Sequence, residues 1–226
     1  MCRGVQLLLV SCALATGASV ARADAAPATV EALMEKFAAA GAVRATFVSE
    51  QSIAVLTAPL ESAGRLYFEP PSTMVRETER PGSAKVVVEA GRATFRDETG
   101  TRHFDLASNE IAAGLVENLM IVLRGDLAAL RDRFETRYAV EGEQWSLRIR
   151  PRQRRVREWI REIVFGGSSE VLVSMSTFET NGDHTRVTFA DVELGAVLST
   201  SERGEWFAID AAPGAIGGAA RGGDPP

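Results

Sequence analysis

Ser62-Ala-Gly-Arg-Leu-Tyr-Phe-Glu-Pro-Pro71 reads as a glycine turn, a strand from Gly64 to Glu69 and an abrupt double-proline stop. It holds no evident nucleophile, base or metal ligand, so its role has to be read from the chain around it. Runs of the same kind stand on both sides. Val43 to Gln51 precedes it, and Met74 to Arg80, Lys85 to Val88, Arg92 to Arg96 and Thr101 to Leu106 follow. All are short, rich in β-branched and aromatic residues, and separated by Gly, Pro, Ser and Asp, the pattern of meandering antiparallel strands.

Helical spacing precedes the strands and interrupts them once. Thr29 can cap a helix whose Val30, Leu33, Met34 and Phe37 share one face and which Gly41 ends. Later, Ser108 or Asn109 can cap a segment with Ile111, Leu115, Val116, Leu119, Val122 and Leu123 as a broad apolar stripe. Asp126 can cap a third that carries Leu127, Leu130 and Phe134. Strands resume at Thr136 to Val140, Trp145 to Arg150, Val156 to Phe165, Val171 to Thr180 and His184 to Leu194. Glu-Gly-Glu, Gly-Gly-Ser-Ser and Asn-Gly-Asp turns join them. The expected fold is mainly β with α: a single curved antiparallel sheet of about eleven strands, an unclosed barrel whose concave face amphipathic helices cover.

The first residues bear on compartment. Met1-Cys-Arg3 is a short cationic start, Val5 to Val20 is mostly apolar, and Ala21-Arg-Ala23 has the form of a cleavage site, so residues 1–23 read as a signal peptide. Leu9-Val-Ser-Cys12 also fits the pattern that leaves an acylated cysteine, which would make an anchored lipoprotein. Cleavage after Ala23 removes Cys2 and Cys12, the only two cysteines, and leaves a domain over 24–212 without a disulfide. It also removes Arg3 and Arg22, taking the formal charge from −5 to −7. An acidic chain without a basic excess excludes the usual nucleic-acid binder. The Gly-, Ala-, Arg- and Pro-rich stretch 213–226 reads as a disordered tail.

The succession of segments resembles the LolA family of periplasmic lipoprotein carriers over roughly residues 28 to 210. The residues that carry the likeness begin with Phe47-x-x-x-Gln51, Ser62-x-Gly64-x-Leu66-Tyr-Phe68, Pro71, Pro81 and Gly91. Tyr138-x-Val140, Trp145-x-Leu-x-Ile-x-Pro151 and the Asn181-Gly-Asp-His-Thr-x-Val-x-Phe189 hairpin follow in the family's order. The resemblance implies an open barrel with a helical lid, whose cavity shields lipoprotein acyl chains between inner and outer membrane. Its implied partners are an acylated lipoprotein or other lipid cargo, an inner-membrane exporter as donor and an outer-membrane acceptor, with no cofactor. The chain is expected to be a monomer. On this reading the stretch 62–71 is a wall of the container. Members usually carry a basic pair before the proline and a Trp in the next strand, where this chain has Glu69-Pro70 and Arg76. The family's lid-binding arginine thus has no counterpart at Pro70. The closing aromatic pattern survives as Phe207-x-Ile209 and Pro213-Gly.

Phe47, Leu66, Phe68, Leu115, Leu119 and Leu123 can be plain core or can line a cavity and its lid; the resemblance favours the second. Arg148, Arg150 and Arg152 alternate with Leu147, Ile149 and Pro151, which gives either a solvated strand face or a docking patch for anionic headgroups or an acidic partner. His103 and His184 lack metal-ligand spacing and no Gly-x-Ser-x-Gly is present, so neither catalysis nor a metal site is expected. Two other readings stay open: an anchored acceptor of LolB type, and a periplasmic sensor or binding module.

Overall fold

The computed structural model describes residues 25–105, 117 and 119–209. The signal-peptide, Cys12, Leu115 and tail readings fall outside them. Helix α1 (Val30–Ala40) leads into strands β1 (Val43–Ser52), β2 (Leu60–Glu69), β3 (Thr73–Arg80), β4 (Ala84–Glu89), β5 (Arg92–Asp97) and β6 (Gly100–Asp105). A helical segment at 119–123, here α2, and α3 (Leu127–Arg133) come next. Then follow β7 (Phe134–Glu141), β8 (Gln144–Pro151), α4 (Arg154–Arg157), β9 (Ile160–Ser168), β10 (Val171–Glu179), β11 (His184–Leu194) and α5 (Thr200–Phe207).

The eleven strands form one antiparallel sheet in the order β6-β5-β4-β3-β2-β1-β11-β10-β9-β8-β7. Each half is a meander of neighbours in sequence, and the β1–β11 pairing sews the halves together. β6 and β7 lie at opposite edges, so the sheet is not closed, as the sequence led us to expect.

Alternation sorts the side chains onto two faces. The register Val43↔Phe68, Ala45↔Leu66 and Phe47↔Gly64 puts the apolar residues of β1 and β2 on one face, and Phe47↔Phe189 extends it to β11. Tyr138↔Leu147 and Leu147↔Phe165 carry it through β7, β8 and β9. This concave face and the buried side chains of α1, α2 and α3 form a single core cluster. α1 starts at Thr29, whose hydroxyl accepts from the Ala32 amide, and it turns Leu33, Met34 and Phe37 into that core.

A second, smaller core lies on the opposite face, where Tyr67, Val75, Val87, Ala196 and Trp206 pack together. It seats α5, which the sequence reading left unassigned. Ser199 caps α5 through a capping box with Glu202, and the Trp206 ring lies tilted against Tyr67 with centroids 5.7 Å apart. Lys85 is 6% exposed and donates to the Glu205 and Ala208 carbonyls, neutralising the negative helix end. Arg96 donates to the Ile209 carbonyl at 2.6 Å.

Four boundaries differ from the sequence reading. β2 begins at Leu60, not Gly64, and Gly64 lies mid-strand where the pairing with β3 shifts register. A Cβ there would sit 1.9 Å from the Glu77 carbonyl oxygen, so the glycine serves close approach of two backbones and not a turn. Val156 to Trp159 is the α4 turn and its exit, because Val156, Trp159 and Ile160 follow helical rather than alternating spacing. Phe134 opens β7 instead of closing α3. Gly166 and Gly167 belong to β9, and the turn is Ser169-Glu170.

Candidate functional site

The concave face is the feature that organises the molecule. Phe47, Leu66 and Phe68 all reach it, at 3%, 4% and 0% exposure, so the three strand residues singled out from sequence come together. Leu119 and Leu123 meet them in the same cluster. Val122 is buried with them, as the stripe predicts, and the helical side differs from expectation in one respect: Met120 and Ile121 are buried too, so residues 119–123 are apolar all round and not a one-sided stripe. Such a segment has no solvated face of its own and stays in place only while it is covered.

The covering layer is tied down at its ends. Gly125, at φ 68°, follows α2 so closely against α1 that a Cβ would lie 2.1 Å from the Met34 carbonyl oxygen and 2.5 Å from the Ala38 amide. Arg124 bridges Glu117 at 2.9 Å and Asp126 at 3.3 Å. Arg131 pairs with Glu31 of α1, and Lys36 pairs with Glu170 at the β9–β10 turn. On the sheet side Trp145 meets Phe37 edge-on at 5.8 Å and donates its indole N–H to the Ser169 carbonyl at 3.0 Å. Tyr138 donates to the Pro27 carbonyl at 2.6 Å, and burial pushes its phenol pKa up.

One polar side chain interrupts the wall. Arg76 pairs with Leu66 on one side and Val86 on the other, which places it on the concave face. Its guanidinium stands 4.3 Å from the Phe47 ring centroid and donates from Nη1 to Thr78 Oγ1 at 3.1 Å. Burial pulls its pKa down, although a guanidinium keeps its proton. Sequence reading noted Arg76 only as a departure from the family; alternation along β3 was the signal that placed it on the inner face.

The arginine row behaves otherwise. Arg148 and Arg150 point away from Leu147 and Ile149 as expected, but both converge on Glu162, at 2.6 and 3.2 Å, whose side chain is only 8% exposed. Their charge is thereby partly compensated. Arg152 donates to the Phe134 carbonyl and braces the strand end instead of joining that pair. His103 contacts Thr94 Oγ1 at 3.2 Å, and His184 stacks on Phe178. Among the described residues no group of three or more His, Cys, Asp or Glu could hold a metal ion, and no helix is long and apolar enough to cross a membrane.

Residues 21–203 match the family profile described as outer membrane lipoprotein carrier protein LolA-like. Solved structures with similar folds are distant. A LolA superfamily protein of Nitrosomonas europaea is 10% identical at TM-score 0.40, covering 75% of this chain and 95% of its own. A DUF1329 family protein of Desulfovibrio piger is 10% identical at TM-score 0.44, over 75% of this chain and 92% of its own. The MucA/MucB complex of Pseudomonas aeruginosa gives 14% identity and TM-score 0.44, over 76% and 59% respectively. No curated protein matches the chain in sequence.

Proposed function

Because the chain belongs to the LolA-like family of outer membrane lipoprotein carriers, as a divergent member, we propose that it is a periplasmic, non-enzymatic carrier. It holds the acyl chains of a lipoprotein or other lipid against its concave face, receives them from an inner-membrane exporter and yields them to an acceptor at the outer membrane. The observation that carries this reading is the single apolar cluster in which an unclosed sheet and an all-apolar α2 meet.

The physics is an exchange of burials. An acyl chain in water loses about 0.8 kcal/mol per exposed CH₂, so a sixteen-carbon chain needs about 12 kcal/mol of shelter. Without cargo, Leu119, Ile121 and Leu123 bury themselves on the strand wall. With cargo, acyl carbons take over part of that packing, so the net affinity is the difference between two similar terms. A modest net affinity lets the cargo leave at its destination. The outward Arg148–Arg150 face is the surface we assign to docking on an acidic partner or anionic headgroups, moderated by Glu162.

Leu119→Asp tests the reading. The leucine is 8% exposed, and a carboxylate in its place costs several kcal/mol in an apolar surrounding. Binding of a fluorescent fatty-acid probe should weaken by more than about tenfold, with faster hydrogen exchange in α2. A folded variant that binds as tightly as the natural chain would make α2 ordinary core packing and remove the mechanical basis of the proposal.

A further inference from the structure

Arg76 sits where an acyl container has least use for a charge. It belongs to a row of inward positions that runs Leu66, Arg76, Val86, Phe95 and Arg102 across β2 to β6. Arg102, at the open end of that row, pairs with Asp97 at 2.7 Å. Arg65, one strand over and on the opposite face, pairs with Glu77 and Glu79. Arg76 by contrast has no carboxylate partner among the described residues. The two groups it touches, Phe47 and Thr78, stand on either side of Gly64 in the strand register.

A guanidinium offers five N–H donors in a planar fork that matches a carboxylate or phosphate. Thr78 takes one of them, and the Phe47 ring attracts the charge without using a donor. A partly buried cation so placed is costly unless an anion meets it, and an anion bonded there, away from bulk water, is held more firmly than at a fully wet surface.

We propose that Arg76 is an anion subsite within the concave face, so that the preferred cargo is an acyl lipid bearing a carboxylate or phosphate next to its chains. This rests on the carrier reading and narrows it. The lipid end of a triacylated cysteine carries only ester, amide and thioether groups, none of them charged, and would leave Arg76 unmatched. A fatty-acid anion or an anionic glycerophospholipid matches it.

The test is competition against a fluorescent neutral acyl probe by three ligands of equal chain length: palmitate, monopalmitoyl glycerol phosphate and uncharged monopalmitoyl glycerol. The full chain should bind at least one anionic ligand about tenfold or more tightly than the uncharged one. The stronger of the two anions identifies carboxylate or phosphate as the natural group. Arg76→Met should abolish the preference while leaving the uncharged ligand within about threefold. Should that variant not fold, Arg76→Gln, which can still donate to Thr78, serves the same comparison. Equal binding of all three ligands by the natural chain overturns the anion subsite and leaves the carrier standing. Equal weakening of all three in a folded Arg76 variant also overturns it, by making the arginine a support of the wall. Binding of none by the natural chain brings down the carrier reading, and the subsite with it.

Discussion

Gly167→Ala probes the joint between the sheet and its helical cover. A Cβ at 167 would lie 2.1 Å from Trp145 Cζ2, 2.3 Å from Cε2 and 2.3 Å from the Val171 carbonyl oxygen. None of these can yield easily. The indole is held by its bond to the Ser169 carbonyl and by Phe37 on its edge, and Val171 is backbone of the neighbouring strand. Overpacking of a well-filled core costs about 1–3 kcal/mol, and with a backbone atom involved we expect the upper half, about 2–3 kcal/mol. For a domain of this size that lowers Tm by about 4–12 °C. Urea denaturation followed by tryptophan fluorescence reads both the midpoint and the altered Trp145 environment. Gly204→Ala is the matched control: it lies inside α5 with nothing within 4 Å of the added Cβ, so it should stabilise by about 0.5–1 kcal/mol. A Gly167→Ala protein as stable as the natural chain would refute the seating of Trp145 as the joint.

Trp206→Ala should destabilise by about 3–5 kcal/mol, because the indole is 6% exposed and caps the second core under Arg65; release of α5 is read by limited proteolysis near residue 200. Glu202 accepts from the Ser199 amide in the capping box, with Arg44 beside it, and these hold its carboxyl below the ordinary value of 4.5. A depressed folded-state pKa stabilises above that value and the contribution is lost as pH falls through the folded one. The stability difference between the natural chain and Glu202→Gln should therefore be present at neutral pH and vanish in acid, as paired denaturation curves would show; a gap that persists unchanged in strong acid contradicts the assignment.

Much of the scaffold was legible in the chain. β1, β3 and β11 follow from short runs rich in β-branched and aromatic residues, α1 from its Thr29 cap and 3.6-residue stripe, and the count of eleven strands from punctuation by turn residues. The failures have physical causes. Gly64 imitates a turn because close backbone approach and tight turning both call for a missing Cβ. α5 was overlooked although Ser199-Thr-Ser-Glu202 carries a capping-box pattern, since its apolar face is short and its burial depends on Tyr67, over 130 positions earlier. Of the site, Phe47, Leu66 and Phe68 were singled out by their apolar spacing together with the family resemblance. That Glu162 lies beneath Arg148 and Arg150 was not legible, because a partner on the next strand is set by the β8–β9 register, which the sequence of either strand alone does not fix. The isolation of Arg76 from carboxylates is likewise a property of three dimensions.

The central claim is that the concave face carries acyl lipid. Native mass spectrometry of the purified protein, after exposure to vesicles of bacterial phospholipid and re-isolation, tests it most directly. The expected result is a discrete adduct of one acyl lipid mass or a small number of them, released by organic extraction and reduced in Leu119→Asp. A folded protein that emerges at its bare polypeptide mass, with no acyl species in the extract, would contradict it.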